Sequence, residues 1–277
     1  MKIYKIADAA VIVHKQNNYR IPISNWDTFI NRENLYELVL SELPKSSNFS
    51  GKLNFDLVAK PMGTQEIWAS GVTYLRSKAA RMEESKKSGG DTFYDKVYDA
   101  DRPELFFKST PHRTVCYGKH VKIRKDSNWN VPEPELTLFV CSTGSIQGYT
   151  IGNDMSSRSI EGENPLYLPQ AKTYDGCAAL GPCLYVPKES IDLNSEIKLE
   201  IFRAEKSIFK GAISISQMKR NFEDLVSYLF RECSFPNGVF LMTGTGIVPP
   251  DDFSLKPHDE IRITINPIGQ LINYVAL

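Results

Sequence analysis

Glu133 and Glu135 stand two residues apart in the run Val131-Pro-Glu-Pro-Glu-Leu136, and a third acid, Asp154, follows within Gly148-Tyr-Thr-Ile-Gly-Asn-Asp-Met-Ser-Ser-Arg158. On an extended backbone, residues two apart share a face, so the first two carboxylates point the same way. Pro132 and Pro134 favour that geometry, because each fixes its own φ and pushes the residue before it away from the helical region. Three converging carboxylates can hold a hard divalent cation. With no cysteine or histidine beside them, such oxygen donors select magnesium, manganese or calcium over zinc. The other reading of an E-x-E pair is a solvated acidic turn ahead of a strand. Residues 136–141 and 149–151 nevertheless read as buried strands, and acids that flank buried strands need a partner.

Further side chains could serve the same chemistry, each with a structural alternative. Lys172 offers an ammonium that stabilises negative charge on a bound oxyanion, or it is a surface lysine. Glu104, between Arg102-Pro103 and the apolar Leu105-Phe-Phe107, either turns inward, where burial raises its pKa into the range useful for proton transfer, or is an exposed loop acid. Arg76 could clamp a substrate carboxylate or hydroxyl with its planar fork, or be a solvated helix arginine. Thr245, set between two glycines, offers a hydroxyl and an approachable backbone, or simply a turn. Arg158 could orient the acids from behind. His14, His112, His120 and His258 fall in no motif and receive no role.

The elements that must carry these residues are mostly strands. Residues 3–6, 10–14 and 19–23 read as short strands, and Ser24-Asn-Trp-Asp suits the start of a helix. Pro61-Met-Gly63 marks the entry to a larger unit, so the chain divides into a small N-terminal domain, residues 1–62, and a main domain, residues 63–277. A strand over residues 67–74 runs into a charged helix, residues 75–87, ended by Ser88-Gly-Gly90. Residues 197–202 and 208–213 read as a hairpin, residues 216–232 as an amphipathic helix with Met218, Phe222, Leu225, Val226 and Leu229 on one face, and residues 261–265 and 271–275 as closing strands. The expected class is α+β, with a β-rich mixed-sheet core.

Composition narrows the partners. The 277 residues carry 33 basic and 33 acidic side chains, a formal net charge of zero that gives no electrostatic case for nucleic acid or an anionic membrane. No stretch is apolar enough to span a bilayer, and the N-terminus lacks the apolar run of a signal peptide, so a cytoplasmic protein is expected. Five cysteines without C-x-x-C spacing read as buried thiols. A small polar substrate is the simplest expectation.

Several of these runs occur together elsewhere. P-E-P-E-L, then G-Y-T-I-G-N-D-M-S-S-R, then Lys172, then Gly244-Thr-Gly246, in that order, resemble the fumarylacetoacetate hydrolase superfamily from about Pro61 onward. The resemblance implies that fold for the main domain, Glu133, Glu135 and Asp154 as metal ligands, magnesium as the ion with manganese or calcium as alternatives, Lys172 in the site, Glu104 in acid/base duty, and a homodimer or homotetramer. Hydrolytic members carry a histidine and a glutamate that activate water, where this chain has Ser77 and Ala80. Ser70-Gly-Val-Thr-Tyr74, Arg76, the run from Tyr94 to Ser109 and the run from Ser157 to Lys172 are closer to a dehydratase branch acting on 2-keto-3-deoxy-D-arabinonate.

A 2-oxo acid chelates a metal through its carboxylate and keto oxygens, which acidifies the C3 protons and opens the way to a metal-bound enolate. The C4 hydroxyl can then leave as water, ending at 2-oxoglutarate semialdehyde. The expected function is therefore a metal-dependent dehydratase of a 2-keto-3-deoxy sugar acid, with Glu104 and Lys172 catalytic and Arg76, Lys172 and Thr245 binding substrate. The runner-up is a hydrolase of acylpyruvates or fumarylacetoacetate-type diketo acids.

Overall fold

The computed structural model describes residues 1–49, 51–85 and 91–277. Alternation of apolar and polar residues near the N-terminus produces an antiparallel meander, β1 (Lys2–Ile6), β2 (Ala9–His14) and β3 (Asn17–Pro22). Helix α1 (Trp26–Ile30) begins where the Asn25 side chain accepts from the Thr28 N–H at 3.0 Å, and α2 (Leu35–Glu42) follows. Their Trp26, Phe29, Ile30, Leu35 and Val39 join Ile3, Ala10 and Ile12 of the meander in one apolar cluster. β4 (Ser47–Asn48) adds a short edge.

β5 (Glu66–Gly71) leads into α3 (Leu75–Ser85), α4 (Asp91–Asp99) and β6 (Glu104–Ser109). The helix expected over residues 75–87 is present to Ser85, and its expected Ser88-Gly-Gly90 end lies outside the described residues. Short β7 (Thr114–Val115) and β8 (His120–Val121) precede the two long strands, β9 (Asn130–Val140) and β10 (Ile146–Ser157). Then come α5 (Arg158–Glu163), α6 (Leu168–Lys172) and β11 (Ala178–Tyr185). The expected hairpin is β12 (Glu196–Arg203) with β13 (Lys206–Ser214). After α7 (Phe222–Leu229) come β14 (Val239–Met242) and the closing pair β15 (Glu260–Ile265) and β16 (Gly269–Val275).

Helix α7 is shorter than expected at both ends. Asn221 caps it by accepting from the Asp224 N–H at 2.7 Å, while Met218 is extended and bridges to Tyr74. Phe222, Leu225, Val226 and Leu229 are its buried face, as the periodicity requires.

Two sheets result. The larger runs β4-β3-β2-β1-β11-β10-β9-β14-β5-β6, with β7 beside β11; the smaller runs β13-β12-β15-β16-β8. β1 pairs with β11 at Lys2↔Tyr185, so β1 to β4 extend the main sheet. The sheets face one another across an apolar interior in which Leu136, Leu138, Val140 and Ile151 meet Leu199, Ile201, Ile261 and Ile263. β14 accompanies β9 only over residues 137–140, so among the described residues no strand pairs with the N-terminal half of β9 on that side. Pro132 and Pro134 are tolerated in a long strand there, because no ladder bond is lost on an unpaired edge. The outcome is an α+β, β-rich mixed-sheet fold; no helix among the described residues is long and apolar enough to cross a membrane.

Candidate active site

The antiparallel register of β9 and β10 assembles the acids. Glu133 lies directly opposite Asp154, and Glu135, two residues along the same face, lies opposite Gly152. A Cβ at Gly152 would fall 2.3 Å from the Thr137 hydroxyl, so the position opposite Glu135 has to stay bare. Each of the three buried acids offers an oxygen within 4.8 Å of the others.

Such a cluster survives burial only if opposite charge is brought to it. Lys172, in the last turn of α6 and fully buried, places Nζ 2.7 Å from Glu133 Oε2, 3.4 Å from Asp154 Oδ2 and 3.9 Å from Glu161 Oε1. Lys108, on β6 and equally buried, places Nζ 2.6 Å from Asp154 Oδ1 and donates to the Met155 carbonyl at 2.9 Å and to the Lys172 carbonyl. Arg158 opens α5 where Ser157 caps the helix; its guanidinium lies 2.6 Å from Glu133 Oε1 and 3.4 Å from Glu161 Oε2. Ser156 donates to the same Glu161 oxygen at 3.1 Å.

Glu135 is different. It has no ion pair to lysine or arginine among the described residues, and one Oε accepts from the Gly244 N–H at 2.6 Å. Burial, then the charges of Asp154 and Glu133, hold its carboxyl well above the usual carboxylate range, with Lys172 and the Gly244 N–H pulling the other way. An under-compensated acid beside two charged ones is what a cation between them would relieve. Hard oxygen donors of this number and spacing fit magnesium, manganese or calcium.

A family model for the fumarylacetoacetate (FAA) hydrolase C-terminal domain matches residues 83–276. The chain belongs to the fumarylacetoacetate hydrolase family. It is 50% identical over 217 residues, 78% of this chain and 74% of the relative, to a probable 2-keto-3-deoxyxylonate dehydratase of Haloferax volcanii. It is 44% identical over 228 residues, 82% of this chain and 76% of the relative, to 2-dehydro-3-deoxy-D-arabinonate dehydratase of Saccharolobus solfataricus. Among solved structures, 2-keto-3-deoxy-D-arabinonate dehydratase complexed with magnesium and 2,5-dioxopentanoate superposes with a TM-score of 0.86 at 35% identity, over 100% of this chain and 99% of the other.

In this fumarylacetoacetate hydrolase fold, the expected residues are placed unequally. Glu133, Glu135, Asp154 and Lys172 meet directly. Glu104 opens β6 opposite Gly71, and two residues on, the Phe106 ring lies 5.9 Å from Lys172 Nζ, which puts Glu104 on the side of the sheet that bears the acids. Thr245 is buried beside the Gly244 turn, its hydroxyl donating to the Ile247 carbonyl at 3.3 Å and accepting from the Ile247 N–H at 3.2 Å. Arg76 is exposed near the start of α3. Ser77 accepts from the Tyr74 N–H at 3.2 Å and donates to the Tyr74 carbonyl at 2.8 Å, while the side chain of Ala80 lies outside the described residues.

Sequence reasoning missed Lys108 and Glu161. A lysine directly after the apolar Leu105-Phe-Phe107 run was the available signal, because a strand buried that far along can keep an ammonium only by pairing it. Glu161 stands three residues after Arg158, the spacing of neighbours on one helix face. Tyr74 and Tyr174 were missed too: both hydroxyls are buried, and both phenols are pushed up by burial first, Tyr74 then by Glu135 and Tyr174 by Cys177 and Asp154.

Proposed function

We propose that this family member is a divalent-metal-dependent dehydratase of a 2-keto-3-deoxy sugar acid, converting 2-keto-3-deoxy-D-arabinonate to 2,5-dioxopentanoate and water. The observation that carries the reading is the buried Glu133, Glu135 and Asp154 triad with Lys172 against it, in a fold that overlays a dehydratase solved with magnesium and that dioxo acid.

When bound, such a cation polarises the keto oxygen and acidifies the C3 protons. The chain's own groups do the rest. Lys172, fixed between Glu133 and Asp154, adds positive charge where negative charge develops on the substrate. Glu104 takes a C3 proton and returns it to the C4 hydroxyl, whose C–O bond breaks with the electron pair leaving on oxygen as water. Two tautomerisations of the resulting 5-hydroxy-3-ene complete the reaction: a C5 hydrogen moves to C3 to give the C4=C5 enol, and the enol O–H hydrogen then moves to C4 to leave the terminal aldehyde. Lys108 and Arg158 orient Asp154 and Glu133 from behind. Arg76 and Thr245 are proposed to meet the substrate's carboxylate and hydroxyls.

The C–C hydrolase reading requires an activated water, and Ser77, where hydrolytic relatives are expected to have part of that machinery, spends its hydroxyl on the backbone of Tyr74. Metal-stripped protein reconstituted with magnesium should convert 2-keto-3-deoxy-D-arabinonate to an aldehyde product. Absence of turnover on keto-deoxy acids, with pyruvate released from acylpyruvates, reverses the assignment.

A further inference from the structure

The outer half of the Glu104 side chain occupies a space that exists because residue 71 has no side chain. Gly71 ends β5 directly opposite Glu104, the first residue of β6. A Cβ on Gly71 would fall 1.8 Å from Glu104 Oε2, 2.6 Å from Cδ and 3.3 Å from Cγ. In an ordinary cross-strand pair the two Cβ atoms stand about 5 Å apart and both side chains rise from the sheet. Here the glutamate instead lies down across the glycine.

The backbone of Gly71 does not ask for glycine. It is absent from the left-handed positions of the described chain, whereas Gly244 has φ +93°. Alanine would therefore fit the main chain at 71 and collide only with the end of a flexible side chain. The main chain of Glu104 is held separately, since Ser70 Oγ donates to the Glu104 carbonyl at 3.1 Å. Strand position and carboxyl position are thus set by different neighbours.

We propose that Gly71 is a positioning residue: its bare backbone is the cradle that holds the Glu104 carboxyl in the orientation from which it exchanges protons with substrate. The inference rests on the reading of Glu104 as the proton carrier. Gly71→Ala displaces the carboxyl while leaving β5 and β6 paired, so activity falls without a matching loss of stability.

The test is a cycle of Gly71→Ala, Glu104→Ala and the double variant, assayed with magnesium and 2-keto-3-deoxy-D-arabinonate, beside a crystal structure of Gly71→Ala. Glu104→Ala is expected to lower kcat by about 10²- to 10⁴-fold. Gly71→Ala lowers it by about 10-fold or more, with a thermal midpoint within about 4 °C of the parent. Adding Gly71→Ala to Glu104→Ala changes nothing beyond about twofold, because no carboxyl remains to displace. The crystal structure shows the Glu104 carboxyl withdrawn from residue 71. Parental kcat in Gly71→Ala, a further loss in the double variant, or an unmoved carboxyl overturns the proposal. Full activity in Glu104→Ala overturns the proton-carrier reading and the cradle's catalytic role together. A parent protein inert on the sugar acid overturns the substrate reading alone, and the crystal structure still decides the cradle.

Discussion

Every one of the eleven residues of β9 is buried, yet its two faces are built on opposite principles. Leu136, Leu138 and Val140 enter the apolar interior between the sheets, where attraction is non-directional and scales with area removed from water. Glu133 and Glu135 enter an equally dry space that holds charge, and each position is defined by a named partner at a stated distance. On the first face a residue is replaceable by another of similar volume. On the second, removing one group leaves another buried and uncompensated. Burial alone therefore says little about function; what a buried residue is paired with says a great deal.

The sharpest way to break this comparison is Asp154→Ala. It removes a cation ligand and takes away the acid that Lys108 and Lys172 share. Activity should drop by more than the 100-fold or so that loss of an outer-shell partner costs, and the heat of magnesium binding in calorimetry should disappear. Stability should fall by about 3–5 kcal/mol in urea unfolding, as expected for a broken buried pair. Undiminished magnesium binding in this variant would end the case for a metal centre.

Lys172→Met separates charge on the substrate from charge on the ligands. Loss of its ammonium should cost about 10²- to 10³-fold in kcat, the range for a preorganised group facing developing charge. Magnesium should still bind, because all three acids remain. It should also raise the thermal midpoint more than in the parent, since the cation now replaces the positive charge that Lys172 supplied to Glu133 and Asp154. An equal or smaller midpoint rise would show that Lys172 and the cation do not share that work.

The two faces also differed in how readable they were. The near-continuous apolar run of residues 136–141 and the period of α7 declare the apolar interior, because both follow from local geometry and side-chain type. The acids were legible through the E-x-E spacing and the prolines that keep it extended. Lys108 was not, although it lies nearer to Asp154 than Lys172 does. Its partner is 46 positions away on β10, and α6 packs against both β10 and β6, with the Thr173 hydroxyl at its end donating to the Phe107 and Lys108 carbonyls at 3.3 Å. Gly71 was hidden for the same reason, since a space is visible only when the neighbour that fills it is known. The length of α7 was misjudged because an apolar Met218 fits the helical period while its backbone is extended and bridges Tyr74.

On the apolar face, Leu138→Ala is the matched substitution. It should cost about 2–5 kcal/mol of stability by urea unfolding through the cavity it leaves, while kcat stays within about twofold of the parent once the protein is held below its new midpoint. A large fall in kcat at full occupancy of the folded state would mean that the interior and the charged site are mechanically coupled along β9.

The smallest expected effect concerns a titratable group on the apolar side. The Cys183 thiol is buried among the interior residues with its sulfur 3.6 Å from the Ile268 carbonyl, and burial pushes it up to about 12. Below the ordinary thiol range near pH 9 it is neutral in folded and unfolded chains alike, so its contribution to stability is fully present. As pH rises from about 9 towards 12, the unfolded chain releases this proton and the folded chain keeps it. The unfolded state then binds fewer protons, and stability falls by up to about 1.4 kcal/mol per pH unit from this group. Urea unfolding at pH 8 and pH 10, for the parent and for Cys183→Ala, reads the thiol together with its coupling to the Tyr4 phenol and the N-terminal amine, the two groups whose titration Cys183 also shifts. The parent should lose more stability than the variant over that interval. Equal losses would mean that the thiol ionises in place, and that the interior facing Leu138 admits charge as the face bearing Glu133 does.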